Sequence, residues 1–183
     1  MITEPDCDVE KLYEGACGYD PAKGGEGPGG NLQSVLTYLL NTGYPTGPTG
    51  QVLEKIAAFV EVDPRNLDDV KRVIQECGVA YIGFDVPDFL MDNGLPASTW
   101  DVNPSWDGGI DGGHCVVLCG WDTVGFTVIS WGQTYKMTYA FFLKYVDEVY
   151  GIADYSWITA KQVTPFGMSL SDLESQMEAL KEG

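Results

Sequence analysis

His114 is the one imidazole in 183 residues, and five thiols accompany it at Cys7, Cys17, Cys77, Cys115 and Cys119. An imidazole and a thiol within hydrogen-bond reach form the general base and nucleophile of cysteine-dependent acyl transfer. That chemistry needs an accessible thiol with a lowered pKa, from a helix N-terminus or a neighbouring imidazolium, and a third group that fixes the ring tautomer. Cys115 and Cys119 follow His114 by an odd number of residues on an expected strand, so both point to the opposite face. Cys77 falls at a helix C-terminus, where the dipole opposes a thiolate. Cys7 is nearest a helix start, but Glu4, Asp6 and Asp8 surround it and disfavour the anion. Cys17 follows a helix and precedes Gly18, which leaves it the most accessible candidate nucleophile. Each thiol also has a plain structural reading as a small apolar side chain.

Other chemistries find less support. No Gly-x-Ser-x-Gly elbow is present. Asp101, Asp107 and Asp111 with Asn103 supply oxygen atoms of the kind Ca²⁺ takes, but their spacing is not that of an EF-hand loop, and Gly-rich turns use Asp for local hydrogen bonds. No Cys-x-x-Cys pair occurs, so neither a zinc ribbon nor a thioredoxin-type centre is expected, and no metal or cofactor is assigned. The odd cysteine count fits a reducing compartment. Ten basic against 27 acidic residues give a net charge of −17, which argues against nucleic acid and anionic membrane surfaces as partners and leaves a protein or peptide.

The elements that must position these groups are legible in outline. The chain is 44% hydrophobic and 12% aromatic, enough for a buried core. Thr3 to Asp6 open a helix whose apolar face is Val9, Leu12 and Tyr13, ended by Gly15 or Gly18. Residues 20–30 are a Gly/Pro-rich loop. Asn31 caps a second helix carrying Leu32, Val35, Leu36, Leu39 and Leu40, and YPTGPTG is a second loop. Ile56–Val62 reads as a strand. Asn66 caps a third helix with Leu67, Val70, Val73, Ile74 and Cys77 inward, closed by Gly78, and Val79–Phe84 is a buried strand. Residues 85–113 read as a long irregular loop. His114–Trp121 and Phe126–Trp131 are strands joined by the turn Asp122–Gly125. A helix is expected from Thr138 to about Tyr150, a short strand at Ser156–Thr159, and a C-terminal helix opened by a Ser171-x-x-Glu174 capping box. The fold class is α+β, with helices in the first half and a mostly antiparallel sheet in the second.

Gly112-Gly113-His114, Gly120-Trp121-Asp122 and Ile129-Ser130-Trp131-Gly132 resemble the strands that carry the histidine and the Asn-Ser-Trp-Gly end in papain-like cysteine peptidases. LYEGACGYDP, AAFVEVDPRNLDDVKRVI, AYIGFDVP and KMTYAFF are similar, more narrowly, to papain-like proteins of phage and bacterial genomes. The resemblance runs from about Asp8 to the C-terminus. It implies one papain-like domain over 1–183, with a mainly helical part (1–78), a barrel-like sheet part (79–167) and a C-terminal helix (168–183). It implies His114 as general base of an active relative, with Trp131, Trp121, Trp106 and Asp111 as candidate cleft residues. Two departures accompany it. The family's nucleophile lies on a helix upstream of the LYEGACGYDP-like segment, where this chain begins. Ile129 stands where the family has the asparagine that orients the imidazole, and it cannot accept a ring N–H.

The expectation is therefore a papain-like fold that acts without catalysis, as a binding or structural module such as a phage virion component. The competing expectation is a fragment or subunit of an active cysteine peptidase or amidase using His114. The acidic N-terminus lacks the apolar core of a signal peptide, and no apolar run approaches membrane-spanning length, which fits a cytoplasmic or virion setting.

Overall fold

Side-chain caps set where the helices begin. Asn31 Oδ1 accepts the Ser34 N–H (2.9 Å) and starts α2, Leu32–Asn41. Asn66 Oδ1 accepts from Asp69 N (3.4 Å) and starts α3, Leu67–Cys77, which Gly78 closes at φ +83°. The computed structural model describes residues 6–24, 27–46, 52–91, 96–154, 163 and 167–182. Ahead of α2 lies α1, Asp6–Cys17; later come α4, Tyr139–Tyr145, and α5, Leu170–Glu182. The cap of α5 is Ser169, whose Oγ accepts from Asp172 N (3.2 Å), so the helix opens ahead of the expected Ser171 box. No described helix is long and apolar enough to cross a membrane.

Short strands β1 (Tyr44–Thr46) and β2 (Val52–Glu54) pair antiparallel, and β1 falls within the expected YPTGPTG loop. The main sheet has seven strands: β3 (Ile56–Glu61), β4 (Ala80–Pro87), β5 (Thr99–Trp100), β6 (Ile110–Trp121), β7 (Gly125–Ser130), β8 (Gln133–Thr138) and β9 (Val146–Asp154). Their order is β3-β9-β4-β6-β7-β8-β5, and every pairing is antiparallel except β5 with β8. The α+β class and the mostly antiparallel sheet are as expected. The barrel-like closure is not: β3 and β5 stand at opposite ends of an open sheet.

Three further expectations are corrected. Residues 85–113 are not one irregular loop, because β4 continues to Pro87 and β6 starts at Ile110. The helix expected over 138–150 stops at Tyr145, and 146–154 form β9 in the middle of the sheet, paired to β3 and β4. Strand β8 was unforeseen. Val9 is 56% exposed, so the buried side of α1 rests on Leu12 and Tyr13 without it. The short strand expected at Ser156–Thr159 lies outside the described residues.

The sheet has two different faces, as strand alternation requires. Ile82, Phe84, Val116, Leu118, Phe126 and Val128 point to the side covered by α3 and α4 and form the main core. Tyr81, Tyr150 and Ile152 point to the other side, where Leu32 and Leu36 of α2 cover them.

Candidate functional site

His114 lies on the α3/α4 face, directly opposite Phe84 in the β4–β6 ladder, with the two rings edge to face at 5.8 Å. Strand β7 brings Ser130 to the same face, as pairing of Val117 with Ile129 and Leu118 with Val128 dictates. His114 Nε2 and Ser130 Oγ share a hydrogen bond of 3.1 Å. Ser130 is 9% exposed, while Ile129 turns outward at 45%. The orienting group missing at Ile129 is thus supplied one residue later by a hydroxyl.

Trp131 completes the arrangement. It and Gly132 link β7 to β8 in a two-residue turn closed by the Ser130–Gln133 pair. Their φ values of +45° and +70° are both positive, as a type I′ turn requires. Trp131 is the one positive-φ residue other than glycine among the described residues. A tryptophan held there costs about 1–2 kcal/mol of backbone energy. The geometry lays the indole over the imidazole, with centroids 4.8 Å apart and planes 18° from parallel. Trp100 and Tyr135 meet the indole from its far sides, each with centroids at 6.0 Å. Half burial under these rings lowers the His114 pKa below its ordinary value, because the charged ring loses water.

A cavity of about 560 Å³ opens beside His114. The end of the Gly-rich loop and the start of α2 form one wall, and the ends of β4, β6 and β9 form the other. Tyr13 fixes the loop: its hydroxyl accepts the Gly29 N–H (3.0 Å). A Cβ at Gly30 would lie 2.8 Å from Cys17 Sγ, so a side chain there would have to displace that thiol. Asp85, Asp147 and Glu148 line the same cavity.

The structure brings His114 and Trp131 together and places Trp121, Trp106 and Asp111 away from them, while the side chain of Cys7 lies outside the described residues. Cys17 ends α1 on the α2 side of the sheet, and its thiol pKa is raised, first by burial and then by Cys115 nearby. Cys115 points to that same side, is exposed, and lines the cavity together with His114. Cys77 is buried beneath α3, its thiol pushed up to about 11 by burial. Cys119 turns its thiol toward the Thr127 carbonyl (3.7 Å). Trp121 closes the far end of β6, seven residues and about 20 Å along the strand from His114. Trp106 packs on Phe89 and Tyr145 and donates to the Asp88 carboxylate. Asp111 is exposed on β6 ahead of the glycines and outside the cavity. Asp101 accepts from the Thr138 hydroxyl (2.8 Å), and Asn103 Oδ1 from Ser105 N (3.1 Å), so both serve local turns and a cap. Among the described residues no group of three or more His, Cys, Asp or Glu side chains is placed to hold a metal ion.

Sequence reading missed Ser130 as the imidazole's partner and the three carboxylates of the cavity. The first had a signal: Trp131-Gly132 reads as a two-residue hairpin turn, and pairing the flanking strands puts Ser130 on the His114 face. The carboxylates had none, because β9 was read as helix.

No family model matches this sequence, and no curated protein does. Among solved structures, the chain is similar to xylellain, a cysteine protease from Xylella fastidiosa. The TM-score is 0.62 at 15% identity, covering 78% of this chain and 68% of that one. At that identity the likeness is one of fold: the chain has a papain-like α+β fold.

Proposed function

We propose that this chain is a papain-like-fold binding module that holds a peptide or protein segment in the cavity beside His114 and does not cleave it. The observation that carries this reading is the facing of the thiols. Among the described thiols, Cys17 and Cys115 stand on the side of the sheet opposite the one where His114 meets Ser130 and Trp131, Cys115 as part of the cavity wall; Cys77 is sealed under α3, and Cys119 is turned to a carbonyl. Ser130 does reach the ring, but at 9% exposure under Trp131 it orients the imidazole instead of meeting a substrate. A structural role in a phage particle extends the same reading and rests on the narrower sequence resemblance.

A second reading has one observation in its favour. Nε2 is held by Ser130, and Nδ1 has no hydrogen-bond partner among the described residues. That is the disposition of a general base waiting for a proton donor, which an upstream segment or another chain would bring.

Labelling with a broad cysteine-peptidase electrophile, mapped by peptide mass spectrometry on protein from its native source, separates the two. Slow, scattered labelling that His114→Ala leaves unchanged is the expected result. Rapid, stoichiometric modification of one thiol, lost in His114→Ala, would establish the peptidase reading and name its nucleophile.

A further inference from the structure

We infer that the segment this cavity receives is basic, with a Lys or Arg side chain seated against Asp85, Asp147 and Glu148. The inference rests on the binding reading above and specifies its ligand. Asp85 lies near the end of β4, Asp147 and Glu148 lie near the start of β9, and these strands are neighbours in the sheet. The three carboxylates therefore converge on one wall. No Lys or Arg lines the cavity. The described ion pairs are Lys23–Asp20, Arg65–Asp63, Lys71–Asp68, Arg72–Asp69 and Lys136–Asp122, and none of them touches it. Glu148 accepts a hydrogen bond from the Tyr150 hydroxyl (2.9 Å), which orients the carboxylate and leaves its charge in place.

The charge carries a local cost that a cation would relieve. The Asp147 pKa is raised, first by burial and then by Glu148 and Asp85. A Lys or Arg head group entering here would meet the summed field of three like charges, Asp85 and Asp147 exposed and Glu148 half-buried.

The rest of the cavity suits a peptide. Its volume is in the range of sites that enclose a side chain and its flanking backbone. Gly29, Gly30 and Gly113 line it without side chains, so a main chain can approach closely. The carboxylates are not grouped to chelate, as no metal-holding cluster of three occurs among the described residues, so the spacing favours an extended organic cation over a bare ion.

The test uses acetylated, amidated pentapeptides of alanine with Arg, Lys, Leu or Glu at the centre, titrated calorimetrically into the whole chain. The single histidine's C2 proton is followed by NMR in parallel. The Arg and Lys peptides are expected to bind roughly tenfold tighter than the Leu peptide at low salt and to lose most of that margin at about 0.15 M. They should shift the His114 signal, and the Glu peptide should not bind. The Asp85→Asn/Glu148→Gln double variant should bind all four weakly and alike, whereas Asp68→Asn, on the exposed side of α3, should behave as wild type. Equal binding of Leu and Arg peptides overturns the charge inference and leaves the binding reading standing. A margin that survives in the double variant assigns the effect to the overall charge and also overturns it, as does Ca²⁺ alone producing the same saturable His114 shift. Silence of every peptide overturns both readings.

Discussion

The indole of Trp131 lies flat on the imidazole of His114, 4.8 Å away, and the backbone that puts it there is held at a φ of +45°. The site residue and its cover are thus joined by an unfavourable turn. Trp131→Ala should raise the His114 pKa toward its ordinary value, since burial is what lowers it. Trp131→Gly should do the same and be more stable than Trp131→Ala by about 1 kcal/mol, because glycine accepts positive φ. NMR titration of the one histidine reads the first effect and denaturant unfolding the second. An unchanged titration in both variants would mean the stack does not control the ring's hydration.

The lowered His114 pKa also fixes a direction for stability against pH. The unfolded chain takes up the proton first as pH falls, so this contribution is fully present above the ordinary value of 6.5 and is lost as pH drops from there to the folded value. Wild type and His114→Gln should therefore differ in the slope of stability between about pH 7 and 5, with only wild type losing stability from this source.

Ser130→Ala removes the hydroxyl bonded to Nε2 and leaves a half-buried ring nitrogen without its partner. A loss of about 1 kcal/mol is expected, together with a change in tautomer balance visible in the ring ¹⁵N shifts. Ser130→Thr keeps the hydroxyl and should keep the shifts. If Ser130→Ala leaves the tautomer unchanged, the serine does not orient the ring.

Phe84 ties the site to the core. Its ring meets Trp100 at 5.5 Å, His114 at 5.8 Å and Phe141 at 6.0 Å, and it is 2% exposed. Phe84→Ala should cost about 3–5 kcal/mol and Phe84→Leu markedly less. Urea unfolding measures both, and a cost near zero for Phe84→Ala would show that the core collapses into the gap.

The turn that ends β6 is set by Asp122. Lys136 Nζ at 2.7 Å, with the N–H groups of Val124 and Gly125, holds its carboxyl down to about 2. A depressed carboxyl contributes stability above its unfolded value of 3.8 and loses it as pH falls toward 2. Asp122→Asn should flatten the acid limb of stability between about pH 4 and 2. An unaltered limb would place the acid sensitivity elsewhere.

Much of this was legible in the chain. Asn31 and Asn66 announced their helices, Gly78 announced an end, and Asp122–Gly125 announced a turn, because each acts on its immediate neighbours. The strand from His114 to Trp121 announced itself by β-branched and apolar density. What escaped depended on partners far along the chain. VDEVY continues an aromatic helix with no breaker before Gly151, and only pairing with β3 and β4 decides that 146–154 is a strand. The cavity's acidic wall escaped with it, since Asp147 and Glu148 share a surface with Asp85 only once β9 lies beside β4. The partner of His114 escaped because Ile129 drew the reading to the residue that matched the family position, whereas the alternation of β7 assigns the contact to Ser130.

The hydrogen bond from the Gly29 N–H to Tyr13 has a mechanical consequence. Tyr13 rides on α1, and Cys17 of the same helix presses against Gly30, so the loop that walls the cavity is fastened to α1 at two points. Tilting α1 would drag that wall and widen or pinch the mouth beside His114 without altering any residue of the sheet. Whatever grips α1 from outside therefore holds a lever on the aperture.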